Sequence, residues 1–308
     1  MHASLASSSL PSQVSIVEVG PRDGLQNEAA VSTQIKIDFI DRLSLSGLNH
    51  VECGAFVSAE RVPQMADSAQ VFGSIQRCKG VCYSALTPNL RGLEAAIDAG
   101  ANRVAVFTSV SEGFCQRNIH CSVAESLKRF EAVLALASKH HIPVRGYLSC
   151  VVDCPYDGAT HPQKVATLAH TMAQMGCDQI SLGDTVGTGT PVRIARMLDA
   201  TLNHLPAAKL AAHFHDTYGQ ALANLYQALQ MGIHVIDSST GGLGGCPYAK
   251  GASGNVATED VLYLCHGLGI ETGVDMQTIV DAAWYICGRL RKLPVSKVSN
   301  ALKNSASD

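Results

Sequence analysis

Short apolar segments rich in Val, Ile and small residues recur along the chain, and each has the length of a buried strand. Eight such segments lie at 15–20, 50–56, 81–87, 103–109, 144–150, 179–184, 210–216 and 235–240. Most stretches between them carry apolar residues at i, i+3 and i+4 spacing, which is the pattern of an amphipathic helix. These stretches centre on 35–43, 90–97, 127–134, 165–172, 194–202 and 222–229. The pattern therefore predicts a chain that alternates strand and helix.

Helix-boundary signals agree with this alternation. Ser32 is a typical N-cap before the first helix, and Thr87-Pro88 precedes the third. Ser122 and Glu125 have the spacing of a capping box for the next helix. Glycines of the kind that end helices follow four of the helical stretches: Gly47, Gly100, Gly176 and Gly232.

About eight strand–helix units in roughly 230 residues predict an α/β fold of the (β/α)8 TIM-barrel type. The alternative is a doubly wound open sheet, which normally has fewer strands and a GxGxxG turn near its start. The sequence has no such turn there. A last helix of the barrel is predicted after Asn255, and an extra C-terminal helix at 275–291. We expect one TIM-barrel domain over 14–303, with flexible tails at 1–13 and 304–308.

Composition narrows the classes of function. The net charge is −3 and no cluster of Lys and Arg stands out, so we expect no nucleic-acid partner. No apolar run approaches the ~20 residues of a membrane-spanning helix, so we expect no membrane partner. The eleven cysteines are scattered without CxxC pairs, which is typical of reduced thiols. Residues 1–13 lack the pattern of a signal or transit peptide, and we expect a cytoplasmic protein.

Polar residues collect where the predicted strands end. In a (β/α)8 barrel, the C-terminal strand ends meet at the face that carries the active site. The set comprises Arg22 and Asp23 after the first strand, Glu52 on the second, Asp184 and Thr185 at the sixth, His213 and His215 on the seventh, and Cys246 and Asn255 in the loop after the eighth. That loop, 241–255, is so dense in glycine that we expect a ligand to approach its backbone.

A metal site is the first chemistry that this set suggests. His213 and His215 are two residues apart on a strand, so both side chains point to the same side of the sheet. The alternative is a pair of histidines whose ring nitrogens are satisfied by backbone groups. Asp23 and Asn255 would complete a set of nitrogen and oxygen ligands without thiolate, which favours Mg²⁺ or Mn²⁺ over structural zinc.

The remaining residues of the set suggest acid–base and electrostatic roles. Arg22 either forms only a salt bridge with Asp23 or holds an oxygen that becomes negative during a reaction. Glu52 and Asp184 are candidates for orienting the arginine, a histidine or a substrate hydroxyl, and a structural role is the alternative for each. Cys246 is flanked by glycines beside the predicted metal, a setting in which a thiol can exchange protons.

Four motifs resemble those of one family. They are 19–28, VGPRDGLQNE; 181–187, SLGDTVG; 213–220, HFHDTYGQ; and the glycine loop with its Cys-Pro-Tyr sequence. Together they resemble the 3-hydroxy-3-methylglutaryl-CoA lyases, and the resemblance extends over about residues 14–300. Each motif alone also resembles the wider DRE-TIM metallolyases, which include isopropylmalate and homocitrate synthases. The Cys-Pro-Tyr sequence, however, makes the glycine loop specific to the lyases.

The resemblance implies a chemistry. A divalent metal would be held by Asp23, His213, His215 and Asn255, and the reaction would be a retro-Claisen cleavage of an acyl-CoA to acetyl-CoA and acetoacetate. Such a reaction belongs to leucine degradation and ketone-body formation. Arg22 would stabilise the thioester enolate, Asp23 or His213 would act as base, and Cys246 would transfer a proton from a mobile loop. The remaining implied residues are Glu52 and Asp184 as catalytic groups, and Arg22, Gln26, Asn118 and Thr185 as substrate-binding groups. A homo-oligomer, dimer or tetramer, is also implied.

The sequence departs from the family pattern at two places near the barrel mouth. One is the segment 52–60, ECGAFVSAE, and the other is Ala29, where a lysine is common in the family. The small residues Gly54 and Ala55 predict space for a bulkier acyl group, so a lyase for a longer, isoprenoid-derived 3-hydroxyglutaryl-CoA is the close alternative. A Claisen-type synthase and a non-catalytic CoA-binding thiol sensor are further alternatives.

Overall fold

The computed structural model describes residues 10–245 and 254–305. Eight parallel strands close into a barrel in which each strand pairs with its neighbours in chain order and the last pairs with the first. They are β1 (Ser15–Glu18), β2 (His50–Ala55), β3 (Cys82–Leu86), β4 (Arg103–Ser109), β5 (Val144–Ser149), β6 (Gln179–Asp184), β7 (Leu210–Phe214) and β8 (Val235–Ser238). Every barrel strand lies within a segment predicted from the sequence, whereas a separate two-stranded antiparallel sheet of Asp153–Cys154 and Gly158–Ala159 was not predicted. The predicted (β/α)8 barrel is confirmed.

Helices surround the barrel. Across the described ranges they are α1 (Thr33–Ser44), α2 (Ser68–Ser74), α3 (Leu90–Asp98), α4 (Glu112–Ile119), α5 (Val123–Lys139), α6 (Pro162–Met175), α7 (Pro191–Leu202), α8 (Ala221–Gln230), α9 (Thr258–Gly267), α10 (Met276–Arg289) and α11 (Lys297–Ser305). The helical pattern did not identify α2, α4 or α11. Each spans seven to nine residues, too few turns for a clear 3.6-residue period.

Most predicted helix boundaries are confirmed. Ser32 Oγ accepts a hydrogen bond from Ile35 N, and the capping box of Ser122 and Glu125 is complete. The boundary of α3 differs from the prediction, since Asn89 is the N-cap and its Oδ1 accepts from Gly92 N at 2.9 Å. Helix α3 begins later than predicted because Thr87 still pairs with β4: its backbone N–H donates to Ala105 O.

Described residues just outside the predicted domain limits contact the rest of the domain. Leu10 packs against the hydrophobic core, and Glu271 N donates to Ser12 O at 3.0 Å. At the other end, α11 packs on α9 and α10 and continues past residue 303. An extra C-terminal helical segment therefore covers one side of the barrel, as predicted.

The inside of the barrel contains polar side chains and a small apolar cluster of Val17, Val19, Ala211 and Val235, whereas the outer faces of the strands are apolar. Leu148 and Leu182 belong to the large core between strands and helices. Arg145 of β5, in contrast, reaches Asp237 of β8, with 2.6 Å between Nη2 and Oδ1. Because β5 and β8 are not neighbours, this ion pair crosses the barrel interior. The functional side chains described next stand on top of this polar interior.

Candidate active site

A short π-helical turn, Gly20–Gly24, follows β1 and carries Arg22 and Asp23. The turn is held by Glu18, whose buried carboxylate accepts from Gly20 N at 2.8 Å and from Thr240 N at 2.9 Å. A Cβ at Gly20 would lie 2.6 Å from Glu18 Oε1, so only glycine fits between this carboxylate and the turn. Glu18 therefore acts as a structural support for the segment that presents Arg22 and Asp23.

The predicted ligands come together. Asp23, His213 and His215 offer ligand atoms that all lie within 4.8 Å of one another. Asn255 completes the group, since its Nδ2 donates to Asp23 Oδ2 at 2.8 Å and its backbone forms a β-bridge with His215. The two histidines and the asparagine are buried, and Asp23 is half-buried. The structure thus brings these four residues together, and their role as metal ligands stays a prediction.

The electrostatics of this cluster fit a divalent cation. Burial lowers the pKa of His215 to about 4, so its ring is neutral and keeps a lone pair. Its Nδ1 is buried and has no hydrogen-bond partner among the residues that the structure describes. Burial alone would raise the pKa of Asp23, but Arg22 and the two histidines hold it well below its ordinary value. An ionised carboxylate beside the imidazoles of His213 and His215 and an amide matches the ligands of Mg²⁺ or Mn²⁺.

Arg22 is fixed beside the cluster by two carboxylates. Its Nε donates to Glu52 Oε2 at 2.6 Å and its Nη1 donates to Asp23 Oδ1 at 2.5 Å. Burial by itself would lower the pKa of Arg22, but Glu52 and Asp23 raise it above its ordinary value. Arg22 therefore stays charged, and Glu52 orients it, as predicted for one of the roles of Glu52.

Tyr147 was missed by the sequence reasoning. The guanidinium groups of Arg22 and Arg145 each lie 5.2 Å from the centre of its ring, and the His213 ring meets it edge-on at 6.0 Å. Burial raises its pKa well above the ordinary value for tyrosine, so the hydroxyl is neutral. The available signal was strand alternation, because Arg145 and Tyr147 are two apart on β5 and share its inner side.

Asp184 lies apart from the cluster. Its Oδ2 accepts from Gly189 N at 2.8 Å, and its charged neighbours are Asp153 and Arg193. Burial raises its pKa to about 6. Strand alternation explains the position, since Ser181 points into the barrel and residue 184, three further on, points out. The geometry supports the structural alternative for Asp184, in which it shapes the loop between β6 and α7.

The three predicted substrate-binding residues other than Arg22 lie at or near the same end of the barrel. Thr185 follows β6 directly, and its Oγ1 accepts from Cys150 N at 3.0 Å. Gln26 is half-buried just after the π-helical turn. Asn118 is exposed on α4, the helix that follows β4. Their roles in binding remain predictions.

Cys246 lies outside the described residues. The glycines on either side of the undescribed segment, Gly244 and Gly254, lie against each other, with Gly254 N donating to Gly244 O at 3.4 Å. A Cβ at Gly244 would come within 3.0 Å of Asn255 Nδ2. Glu28 accepts from Gly244 N and forms an ion pair with Lys292. Both described ends of the loop therefore start beside the ligand cluster.

Comparison with known proteins shows the family of the chain. The HMGL-like family model matches residues 13–286. The chain belongs to the HMGL-like family. Among its relatives, the 3-hydroxy-3-isohexenylglutaryl-CoA/hydroxy-methylglutaryl-CoA lyase of Pseudomonas aeruginosa is 55% identical over 294 residues, covering 95% of this chain and 98% of that protein. The cytoplasmic 3-hydroxy-3-methylglutaryl-CoA lyase of Rattus norvegicus is 55% identical over 295 residues, covering 96% and 86%. The family named from the motifs is confirmed.

Solved structures of HMGL-like proteins share the whole fold. Hydroxymethylglutaryl-CoA lyase from Pseudomonas aeruginosa superposes with a TM-score of 0.95 at 55% identity and covers 96% of this chain and 99% of that one. An HMG-CoA lyase from Acinetobacter baumannii, solved in complex with coenzyme A and 3-methylmalate, has a TM-score of 0.89 at 33% identity and covers 98% and 97%. The family membership thus extends to the complete barrel.

Proposed function

We propose that this protein is a divalent-metal-dependent lyase that cleaves 3-hydroxy-3-methylglutaryl-CoA to acetyl-CoA and acetoacetate. The observation that carries the proposal is the convergence of Asp23, His213, His215 and Asn255 beside a charged Arg22, in a chain of the HMGL-like family. Its relatives with more than half of their residues in common are named as lyases of this substrate.

The cluster supports the first half of the reaction. A divalent cation held by these four residues would supply a Lewis acid that makes the tertiary hydroxyl of the substrate more acidic. The hydroxyl proton needs an acceptor, and Asp23 and His213 are the two candidates. His213 Nδ1 is occupied by Asp237, which leaves only Nε2 for both ligation and proton transfer. Asp23 has two carboxylate oxygens, but Oδ1 accepts from Arg22 and Oδ2 accepts from Asn255. Both residues therefore stay candidates for the acceptor.

Arg22 supports the second half. As the carbon–carbon bond breaks, negative charge moves to the thioester oxygen, and a donor already fixed in place stabilises this charge without reorganising. Glu52 holds Arg22 in such a position through a buried ion pair. Cys246 is the proposed donor of the proton that completes acetyl-CoA, and the loop that carries it starts beside the cluster.

The direct test is turnover of 3-hydroxy-3-methylglutaryl-CoA by the purified chain with Mg²⁺ or Mn²⁺. We expect equal amounts of acetyl-CoA and acetoacetate. A chain that binds the metal yet releases neither product would contradict the proposal. Activity with acetyl-CoA and a 2-oxo acid instead would favour the synthase alternative.

A longer acyl substrate is the second candidate, and one observation favours it: the Pseudomonas aeruginosa relative is named for both acyl groups. The space predicted from Gly54 does not contribute, however. A Cβ there would lie 2.6 Å from Ser68 Oγ, because Gly54 faces α2 and not the barrel mouth. The ratio of kcat/KM for the two substrates decides between them, and a ratio strongly in favour of the longer acyl chain would reassign the substrate.

The cellular setting and the assembly remain proposals. Among the relatives, some are named cytoplasmic and others mitochondrial, and we propose the cytoplasm for this chain. In residues 10–245 and 254–305, every helix is too short or too polar to cross a bilayer. We propose a homodimer or homotetramer, to be tested by light scattering on the purified protein.

A further inference from the structure

A buried chain of polar contacts lies directly behind His213. Asp237 of β8 is 1% exposed, and its Oδ2 lies 3.2 Å from His213 Nδ1. The same oxygen accepts from Ser181 Oγ at 2.7 Å, while Oδ1 accepts from Arg145 Nη2 at 2.6 Å. Three strands, β5, β6 and β8, thus converge on one ring nitrogen of a histidine on β7.

The carboxylate determines which nitrogen of His213 carries the proton. A carboxylate only accepts, so His213 Nδ1 must be the N–H, and the lone pair is then on Nε2. That is the nitrogen His213 offers to the cluster. An imidazole that ligates a metal is commonly fixed in this way by a carboxylate on its other nitrogen.

The tautomer of His215 is fixed by a backbone group and not by a carboxylate. It bonds the backbone of Thr185, and since its Nδ1 is unpartnered among the described residues, this bond uses Nε2. A backbone carbonyl cannot be removed by substitution. Of the two histidines, only His213 therefore depends on a side chain that can be changed.

Arg145 determines which side-chain atom at position 237 faces His213. Its guanidinium only donates, so the oxygen of residue 237 nearest to it must be an acceptor. An asparagine at 237 would keep its carbonyl oxygen towards Arg145 and turn its NH₂ towards His213. The ring would then accept at Nδ1 and carry its proton on Nε2, which is the wrong tautomer for a ligand.

We propose that Asp237 is the positioning residue for His213, that it selects the Nδ1–H tautomer, and that Arg145 and Ser181 hold it in that role. The inference rests on the proposed metal site, but not on the identity of the substrate. It assigns a function to the polar interior of the barrel beneath the cluster.

The test measures Mn²⁺ affinity of the metal-stripped full chain by the electron paramagnetic resonance signal of free Mn²⁺. Asp237→Asn should weaken binding about 10–100-fold. Added Mn²⁺ should recover much of its lost turnover, because the defect is in ligation. The double variant Asp237→Asn with Arg145→Met should bind more tightly than Asp237→Asn alone, because without the guanidinium the amide can turn its oxygen to His213.

Ser181→Ala has a matched control in Ser84→Ala. Ser84 is also a buried strand serine whose hydroxyl contacts a buried histidine, with 2.8 Å between Ser84 Oγ and His50 Nε2, but it does not touch Asp237. Ser181→Ala should weaken Mn²⁺ binding and Ser84→Ala should not. If Asp237→Asn does not fold, this pair decides.

Three results would overturn the proposal: parental Mn²⁺ affinity in folded Asp237→Asn, a double variant no tighter than the single one, or equal losses in Ser181→Ala and Ser84→Ala. A parent chain that binds Mn²⁺ but does not cleave 3-hydroxy-3-methylglutaryl-CoA would contradict the proposed function and leave this inference standing.

Discussion

The two ends of the barrel interior contain similar residues but differ in how these are satisfied. At the N-terminal end, a cavity of about 350 Å³ is lined by His50, Cys82 and Arg103, among others. His50 bonds Ser84, and burial, followed by the charges of Arg145 and Arg103, lowers its pKa to about 3. Arg103 forms an ion pair with Asp178, and the residues lining this cavity include no carboxylate.

At the C-terminal end, histidines and an arginine are joined by ionised carboxylates. Asp23 touches both Arg22 and Asn255, and His215 Nδ1 is a buried acceptor without a partner in the described part of the chain. A histidine with an arginine nearby is therefore not enough to define a site. At this end, lone pairs converge on one point, and the described residues do not supply donors for all of them.

The largest effect should come from Asp23→Ala, which removes both a ligand and a partner of Arg22. We expect Mn²⁺ binding to be lost and turnover to fall about 10³-fold or more, since a bound metal contributes several kcal/mol to the barrier. Product formation and Mn²⁺ binding are measured on the same preparation. If this variant kept the metal affinity of the parent chain, the cation would bind elsewhere. The proposed difference between the two ends of the barrel would then be wrong.

Cys246→Ala should separate chemistry from metal binding. If the thiol is the proton donor, turnover falls about 10²–10⁴-fold while Mn²⁺ affinity is unchanged. The informative control is Asp23→Ala, in which both quantities fall. Equal losses of metal in the two variants would make the cysteine a ligand.

Arg22→Met and Arg103→Met compare one arginine from each end of the barrel. Loss of a fixed donor to a developing oxyanion costs about 10²–10³-fold in kcat, so Arg22→Met should show this loss with retained Mn²⁺ binding. Arg103→Met, at the opposite end, should leave kcat unchanged. Similar kcat values for the two variants would remove the proposed role of Arg22.

A smaller effect is expected on stability. Mn²⁺ at a hundred times its dissociation constant should add about 2.7 kcal/mol to the free energy of unfolding of the parent chain. His215→Ala should show little of this gain, because the ligand set is incomplete. Thermal unfolding with and without Mn²⁺ measures the difference, and an undiminished gain in the variant would exclude His215 as a ligand.

The smallest effect should be that of His50→Gln. Turnover should not change, and the free energy of unfolding should fall by about 1 kcal/mol, the usual value of one hydrogen bond. A large loss of turnover would show that the N-terminal end takes part in the reaction.

Much of the fold and the site could be predicted from the sequence because both follow local rules. Buried strands and amphipathic helices have different periods, which was enough to predict all eight strands. The two-residue spacing of His213 and His215, with polar residues at other strand ends, was enough to predict four residues that the structure brings together. The family motifs added the chemistry.

The errors came from features that need the third dimension. Asp184 lies on a barrel strand like Glu52, but its side chain faces the helices and not the barrel. Gly54 was predicted to open the mouth, yet it packs against Ser68. Tyr147 and Asp237 were missed because their contacts join residues far apart in the chain, and such contacts have no signature in local spacing. Tyr147 meets Arg22, and Asp237 meets Arg145 and His213.

The most direct test of metal-dependent cleavage is a metal titration of the metal-stripped chain with 3-hydroxy-3-methylglutaryl-CoA as substrate. We predict no acetyl-CoA without metal, and a rate that rises with Mg²⁺ or Mn²⁺ and saturates when one cation is bound per chain. An undiminished rate after removal of the metal, or no product at any metal concentration, would contradict this prediction.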